Sequence, residues 1–147
     1  MKNKIVLDSC VFNKLFLDEP DREHAINLID TLTKQKYKTI VPSLFLYEVL
    51  AVEKINSIPA EQIYDIIVKC QDLGFQLIEL EKPSIEKSLQ ICEVGHEKSG
   101  FPSFYDACYH ALAILNDGYF ITADKRHFNK TQQLGHIVLL RDWESIL

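Results

Sequence analysis

Short runs of aliphatic and β-branched residues recur along this chain, separated by segments of helical period, and that alternation most restricts how it can fold. The runs are Lys4-Ile5-Val6-Leu7-Asp8, Thr39-Ile40-Val41, residues 75–80, Tyr119-Phe120-Ile121-Thr122 and residues 137–140. Over residues 21–35, Ala25, Ile26, Leu28, Ile29 and Leu32 repeat at the spacing of one helical face. Residues 44–55 read as a helix with Ser43 as its cap. Pro59 suits the first turn of the next, which runs through Ile63, Ile66, Ile67, Cys70 and Leu73 to a stop at Gly74. Pro83 opens a helix carrying Ile85, Leu89 and Cys92, and Gly100-Phe101-Pro102 breaks the chain before a helix over residues 103–116. Asp117-Gly118 makes a turn, and residues 124–133 form a last, shorter helical segment. Strands that alternate with helices favour a parallel sheet covered on both faces. The expected fold is therefore α/β: a single domain over residues 1–147, with a central, mostly parallel sheet flanked by helices on both faces.

Composition narrows the class of protein. Hydrophobic residues make up 47% and charged residues 25%, the balance of a globular chain with one core. At this length folding removes roughly 70% of the unfolded chain's surface from water. Asp8, Asn13 and Lys14 interrupt the apolar N-terminal stretch, so neither a signal-peptide core nor a membrane span is expected, and a cytoplasmic address follows. Cys10, Cys70, Cys92 and Cys108 lack zinc-site spacing and sit in apolar runs, where reduced, buried thiols are expected. A net charge of −5 excludes a broad electrostatic grip on nucleic acid. It leaves room for a nuclease whose excess carboxylates are clustered and neutralised by metal.

Four acids sit where such a cluster would form. Ligands of an open parallel sheet bind beyond the carboxyl ends of its strands. Asp8 ends the first run, Asp124 follows the fourth by two residues, Glu48 lies early in the helix after the second, and Asp106 lies in the first turn of the 103–116 helix. Asp106 reaches the same edge only if its helix begins there. Each acid also has a purely structural use. Asp8 and Asp124 can cap the helices that follow them, and Asp106 stands three residues after Ser103, close to a capping box. Glu48 can occupy the solvent stripe of its helix, but its neighbours Phe45, Leu46, Val49 and Leu50 need a core, and a lone carboxylate among them is costly to bury.

The wider context of these acids carries a family resemblance. Val6-Leu7-Asp8-Ser9-Cys10-Val11-Phe12 resembles the opening motif of PIN domains, a strand ending in Asp followed by Ser or Thr. Pro42-Ser43-Leu44-Phe45-Leu46-Tyr47-Glu48-Val49 is similar to the second motif, and Ser103-Phe104-Tyr105-Asp106-Ala107-Cys108-Tyr109-His110-Ala111-Leu112-Ala113 to the third. Phe120-Ile121-Thr122-Ala123-Asp124-Lys125-Arg126-His127-Phe128 resembles the fourth. All four stand in family order and span nearly the whole chain. The length and Asp18-Glu19-Pro20 further resemble VapC-type toxins of toxin–antitoxin pairs.

That resemblance implies a metal-dependent endoribonuclease acting on RNA phosphodiester bonds, the toxin of a type II pair. Its cofactor would be Mg²⁺ or Mn²⁺, which prefer hard oxygen ligands. Asp8, Asp106 and Asp124 would be the metal ligands and Glu48 would hold water or act as general base, while Ser9 and Thr122 would supply supporting hydroxyls. It also implies a homodimer and a small antitoxin, with residues 44–73 rich enough in large apolar side chains to carry both interfaces. His110, four residues after Asp106 and so on its helical face, is a candidate substrate contact, against the plainer reading of a packed histidine. Lys125, Arg126, His127 and Lys130 form a local basic patch suited to phosphate, or an ordinary solvated face. His24, His96, His127 and His136 form no metal-binding spacing, and the basic residues between 34 and 38 read as an exposed helix end.

Two other readings compete. An aspartyl phosphotransferase with Asp8 as nucleophile would want a second Asp two residues on, where Cys10 stands. A non-catalytic or housekeeping PIN module, binding RNA or protein without a cognate antitoxin, would tolerate losing acids, and none is missing.

Overall fold

A computed structural model describes residues 2–95 and 97–147; Met1, and His96 with no role assigned to it, lie outside the described residues. Five strands form one sheet: β1 (Ile5–Leu7), β2 (Thr39–Pro42), β3 (Phe75–Ile78), β4 (Tyr119–Thr122) and β5 (Ile137–Leu139). Their order across the sheet is β3-β2-β1-β4-β5 and every neighbouring pair is parallel. Ile5 pairs with both Thr39 and Tyr119, which aligns the three central strands.

Parallel strands need crossovers, and the helices supply them. They are α1 (Ser9–Asn13), α2 (Arg22–Lys34), α3 (Leu44–Ile55), α4 (Ala60–Asp72), α5 (Lys82–Ile91), α6 (Phe104–Leu115) and α7 (Lys125–Thr131). Short 3₁₀ turns follow at Gln132–Leu134 and Leu140–Ser145. Successive side chains of a strand point to opposite faces, yet all three residues of β1 are fully buried. Both faces of the sheet centre are therefore covered. The core around it joins Phe12, Phe45, Val49, Ile63, Tyr109 and Phe120, and α6 packs across β1, β2 and β4.

Gly118 sets the entry to β4. A Cβ there would lie 2.5 Å from the Lys4 carbonyl, which instead accepts the Tyr119 amide at 3.0 Å. Only glycine lets the α6–β4 turn pass so close to β1.

The single α/β domain agrees with the alternation in the sequence, and several details differ. The 75–80 strand stops at Ile78. Ser43 does not cap α3: its backbone is already helical (φ −57°, ψ −26°) and its side chain makes no capping bond. The helix that Asp8 is expected to cap is the five-residue α1, whereas the 3₁₀ turn at Leu140–Ser145 has no counterpart in the sequence pattern and takes the last residue of the 137–140 run out of β5. All four cysteines are free thiols, with Cys70 and Cys108 buried and Cys10 and Cys92 half-buried. Among the described residues no helix is long and apolar enough to cross a membrane.

Candidate functional site

The order β3-β2-β1-β4-β5 reverses direction at β1, because the chain builds outward to β3 on one side and then returns to β4 on the other. A crevice opens beyond the strand ends at such a point. Asp8 leaves β1 there, 4% exposed, and its amide donates to Ile121 O of β4 at 3.0 Å. Thr122 Oγ1 donates to Asp8 Oδ2 at 2.7 Å and accepts the Asp124 amide at 3.0 Å, so one hydroxyl ties the ends of β1 and β4 together. Ser9 Oγ donates weakly to Asp8 Oδ1 at 3.5 Å and lies 3.4 Å from Glu48 Oε1.

Glu48 comes in from α3 and is half-buried, not on a solvent stripe. Its Oε1 accepts a 2.6 Å hydrogen bond from the hydroxyl of Tyr109, a fully buried residue of α6. Asp106 stands one turn earlier on α6, with its amide donating to Ser103 Oγ and its carboxylate accepting from that hydroxyl, both at 3.1 Å. Asp124 caps α7 by accepting the amides of Arg126 (2.9 Å) and His127 (3.2 Å). Asp8, which accepts the Cys10 amide at 3.4 Å, and Asp124 thus cap the helices that follow them, while Asp106 takes the Ser103 hydroxyl where a capping box would take the Ser103 amide; these uses coexist with convergence on one edge.

The electrostatics separate convergence from mere capping. Burial, followed by repulsion from Asp106 and Glu48, pushes Asp8 up to about 7 despite the bonds from Thr122 and Cys10. Burial raises Glu48, with Asp106 adding to the rise and Tyr109 and Ser9 opposing it. Asp106 is raised by burial and then by Asp124, while Ser103 and Lys130 pull it down. Helix caps spread over a surface would not couple in this chain of pairs. Cys10 is held well above its usual range by burial and by Asp8, so it is a neutral thiol here and not a nucleophile.

Among the described residues no group of three or more His, Cys, Asp or Glu side chains is already arranged to hold an ion. The donor set nevertheless suits a hard divalent cation: carboxylate oxygens in mutual repulsion, flanked by hydroxyls, with no soft ligand in play.

His110 does not reach this edge. It is fully buried, with Nε2 donating to Gly135 O at 2.8 Å and Nδ1 3.2 Å from His127 Nε2. A carbonyl can only accept, so His110 carries its proton on Nε2 and receives one from His127 on Nδ1. Burial lowers both rings, His127 to about 4, which keeps the pair neutral and structural. The plainer reading of a packed histidine describes it. Tyr109 is the residue that the helical-spacing argument should have reached, since positions three and four after Asp106 both lie on its side of α6.

The basic run also divides. Lys125 lies on the side of Asp21 and Arg141, and His127 is buried. Arg126 and Lys130 line a cavity of about 640 Å³ together with Gly95, Ser99, Asn129 and Gln133.

With Tyr109→Phe, Glu48 loses the bond that restrains it and holds its acidity, so its pKa should rise further. The acidic limb of any pH–rate profile is expected to move to higher pH, with a stability loss of about 1–3 kcal/mol for a hydrogen bond to a charged group. An unmoved profile would show that Tyr109 only packs.

The chain's place among known proteins agrees with this geometry. The PIN domain family model matches residues 5–134, a span holding all four acids and the first four strands. The chain belongs to the PIN domain family, a family of nucleases. No curated protein sequence matches it. Among solved structures it is similar to a toxin–antitoxin complex from Klebsiella pneumoniae (16% identity, TM-score 0.66, 92% of this chain and 97% of that one). It is also similar to VapBC2 from Rickettsia felis bound to a promoter DNA fragment (15%, 0.65, 92% and 96%) and to FitAcB from Neisseria gonorrhoeae (14%, 0.64, 95% and 98%). At these identities the likeness is one of fold.

Proposed function

We propose that this chain is a metal-dependent endoribonuclease of the VapC type, the toxin of a type II pair. The observation that carries the reading is the chain of mutually repelling carboxylates, Asp8–Glu48–Asp106–Asp124, at the switch point of the sheet. Asp8, Asp106 and Asp124 would hold Mg²⁺ or Mn²⁺, which when bound acidifies water and neutralises charge on the phosphate. Glu48 is the general base: its raised pKa brings it nearer to neutrality, and the Tyr109 hydroxyl fixes which oxygen is left to take a proton from water. Thr122 orients Asp8, and Ser9 stands between Asp8 and Glu48.

The complexes formed by the solved neighbours support a small antitoxin as partner here. The exposed side chains of Tyr47, Ile55, Tyr64 and Leu73 on and beside α3 and α4 support apolar interfaces, for that partner and for a homodimer in the cytoplasm.

Purified protein is expected to hydrolyse single-stranded or structured RNA in Mg²⁺ or Mn²⁺ and to stop in chelator. Undiminished hydrolysis in excess EDTA would end the metal-dependent reading. Induction of soluble protein is expected to arrest growth, and unaffected growth would remove the toxin assignment while leaving the nuclease standing.

A further inference from the structure

The cavity beside α7 has no part in the chemistry proposed above. Arg126, Asn129, Lys130 and Gln133 fall at i, i+3, i+4 and i+7, so a single stripe of α7 and its 3₁₀ extension forms one wall. Gly95 and Ser99, in the loop between α5 and α6, form the other. Its volume of about 640 Å³ lies in the range of small-ligand sites. The wall is cationic and amidic in a chain of net charge −5. Among the described residues Arg126 makes no ion pair, and the Asn129 amide has no hydrogen-bond partner. Among the described residues Lys130 Nζ makes only a long 3.4 Å bond, to Phe101 O. Gly100 (φ +83°) adopts a backbone that L side chains rarely take, and it lies within ordinary contact distance of Lys130 Nζ, where a Cβ would stand 3.5 Å away. Gln133 donates one amide hydrogen to Lys130 O at 3.0 Å and keeps its carbonyl for another partner.

This wall adjoins the acidic edge. Asp124 caps the helix that carries it, and Lys130 is near enough to Asp106 to pull on that acid's proton. An RNA strand laid across the acids would thus continue over two cations and two amides. Guanidinium and ammonium groups take phosphate oxygens, while an amide offers a donor and an acceptor side by side, as a base edge requires.

We infer that this cavity holds one nucleotide of the RNA substrate next to the bond that is cut, with Arg126 and Lys130 on its phosphate and Asn129 and Gln133 on its base edge. The inference rests on the ribonuclease reading, and α7 then sets which sequence is cleaved as well as supplying Asp124.

Two measurements on the full chain test it. The first is fluorescence anisotropy of a short single-stranded RNA with protein in EDTA, across a salt series. Arg126→Ala with Lys130→Ala is expected to weaken binding about tenfold or more, and to make the slope of log K against log[salt] shallower by about 0.7, the value for one lost phosphate contact on a single strand. The second maps cut sites in a random-sequence RNA pool with Mn²⁺. Asn129→Ala with Gln133→Ala is expected to flatten the base preference at one position flanking the cut by about tenfold, the discrimination of one good amide–base pair. Unchanged affinity and slope in the first pair, or an unchanged cut-site profile in the second, would overturn the inference. So would a wild type with no base preference beside the cut. Wild type that binds RNA through Arg126 and Lys130 but cuts nothing in any metal would remove the ribonuclease reading and leave the pocket in place.

Discussion

Asp106→Asn is expected to lower the rate of metal-dependent RNA hydrolysis by at least ~100-fold, and Asp8→Asn by as much, if metal-assisted chemistry supplies several kcal/mol of the barrier. The amide keeps the shape of the carboxylate, and α6 keeps its Ser103 cap, so the variant should fold. What it loses is charge. Single-turnover rates with saturating RNA and Mn²⁺ separate this from weaker substrate binding. A variant within a few-fold of wild type would show that Asp106 serves its helix and not the reaction.

Asp8→Asn should also stabilise the metal-free protein above neutral pH. Asp8 titrates near 7 in the folded chain, against an ordinary value of 3.8. Below 3.8 the group is protonated in both states and contributes nothing to the difference. As pH rises towards 7 the unfolded chain releases its proton and the folded chain retains it, so stability falls. Beyond 7 the full cost is present, on the order of a few kcal/mol at ~1.4 kcal/mol per pH unit. Thermal melts in EDTA from pH 4 to 8 should show wild type falling more steeply than the variant, with the two converging at the acid end. Saturating Mn²⁺ should recover stability in wild type, by about 2.7 kcal/mol at a hundredfold excess over Kd, and much less in the variant. Parallel curves in EDTA, together with a wild type unmoved by Mn²⁺, would make the acids structural.

The frame of this fold was legible because its strands are short, buried and β-branched, and its longer helices carry a clear period. What escaped was too short or too one-sided for pattern. Ser9–Asn13 spans little more than one turn, so no periodicity can announce it, and only Asp8 as an N-cap pointed that way. Ser43 has the residue type of a cap but a helical backbone. The four acids were legible through motif order and strand ends, whereas their support was not. Tyr109 and His110 share the Asp106 side of α6, and only packing decides that the tyrosine reaches Glu48 while the histidine turns to Gly135 and His127. Likewise, a run of cations at 125–130 looks like one patch on paper, but the helical turn sends Lys125 to a different side from Arg126 and Lys130.

The seven residues of α7 are divided between fixed and free positions. His127 and Thr131 are buried and anchored, and Asp124 holds the first turn, so the helix cannot shift without disturbing the acid. Arg126 and Asn129, with Gln133 in the 3₁₀ turn that follows, are exposed and bear little of the packing. If the cavity beside α7 holds a nucleotide as inferred above, the two sets can diverge under selection: exposed positions can be exchanged, and cleavage preference retuned, while the chemistry stays as it was. A lineage of such proteins could accumulate new RNA targets by substitutions on one helical stripe. A designer could follow the same route, randomising three codons and leaving the acids untouched.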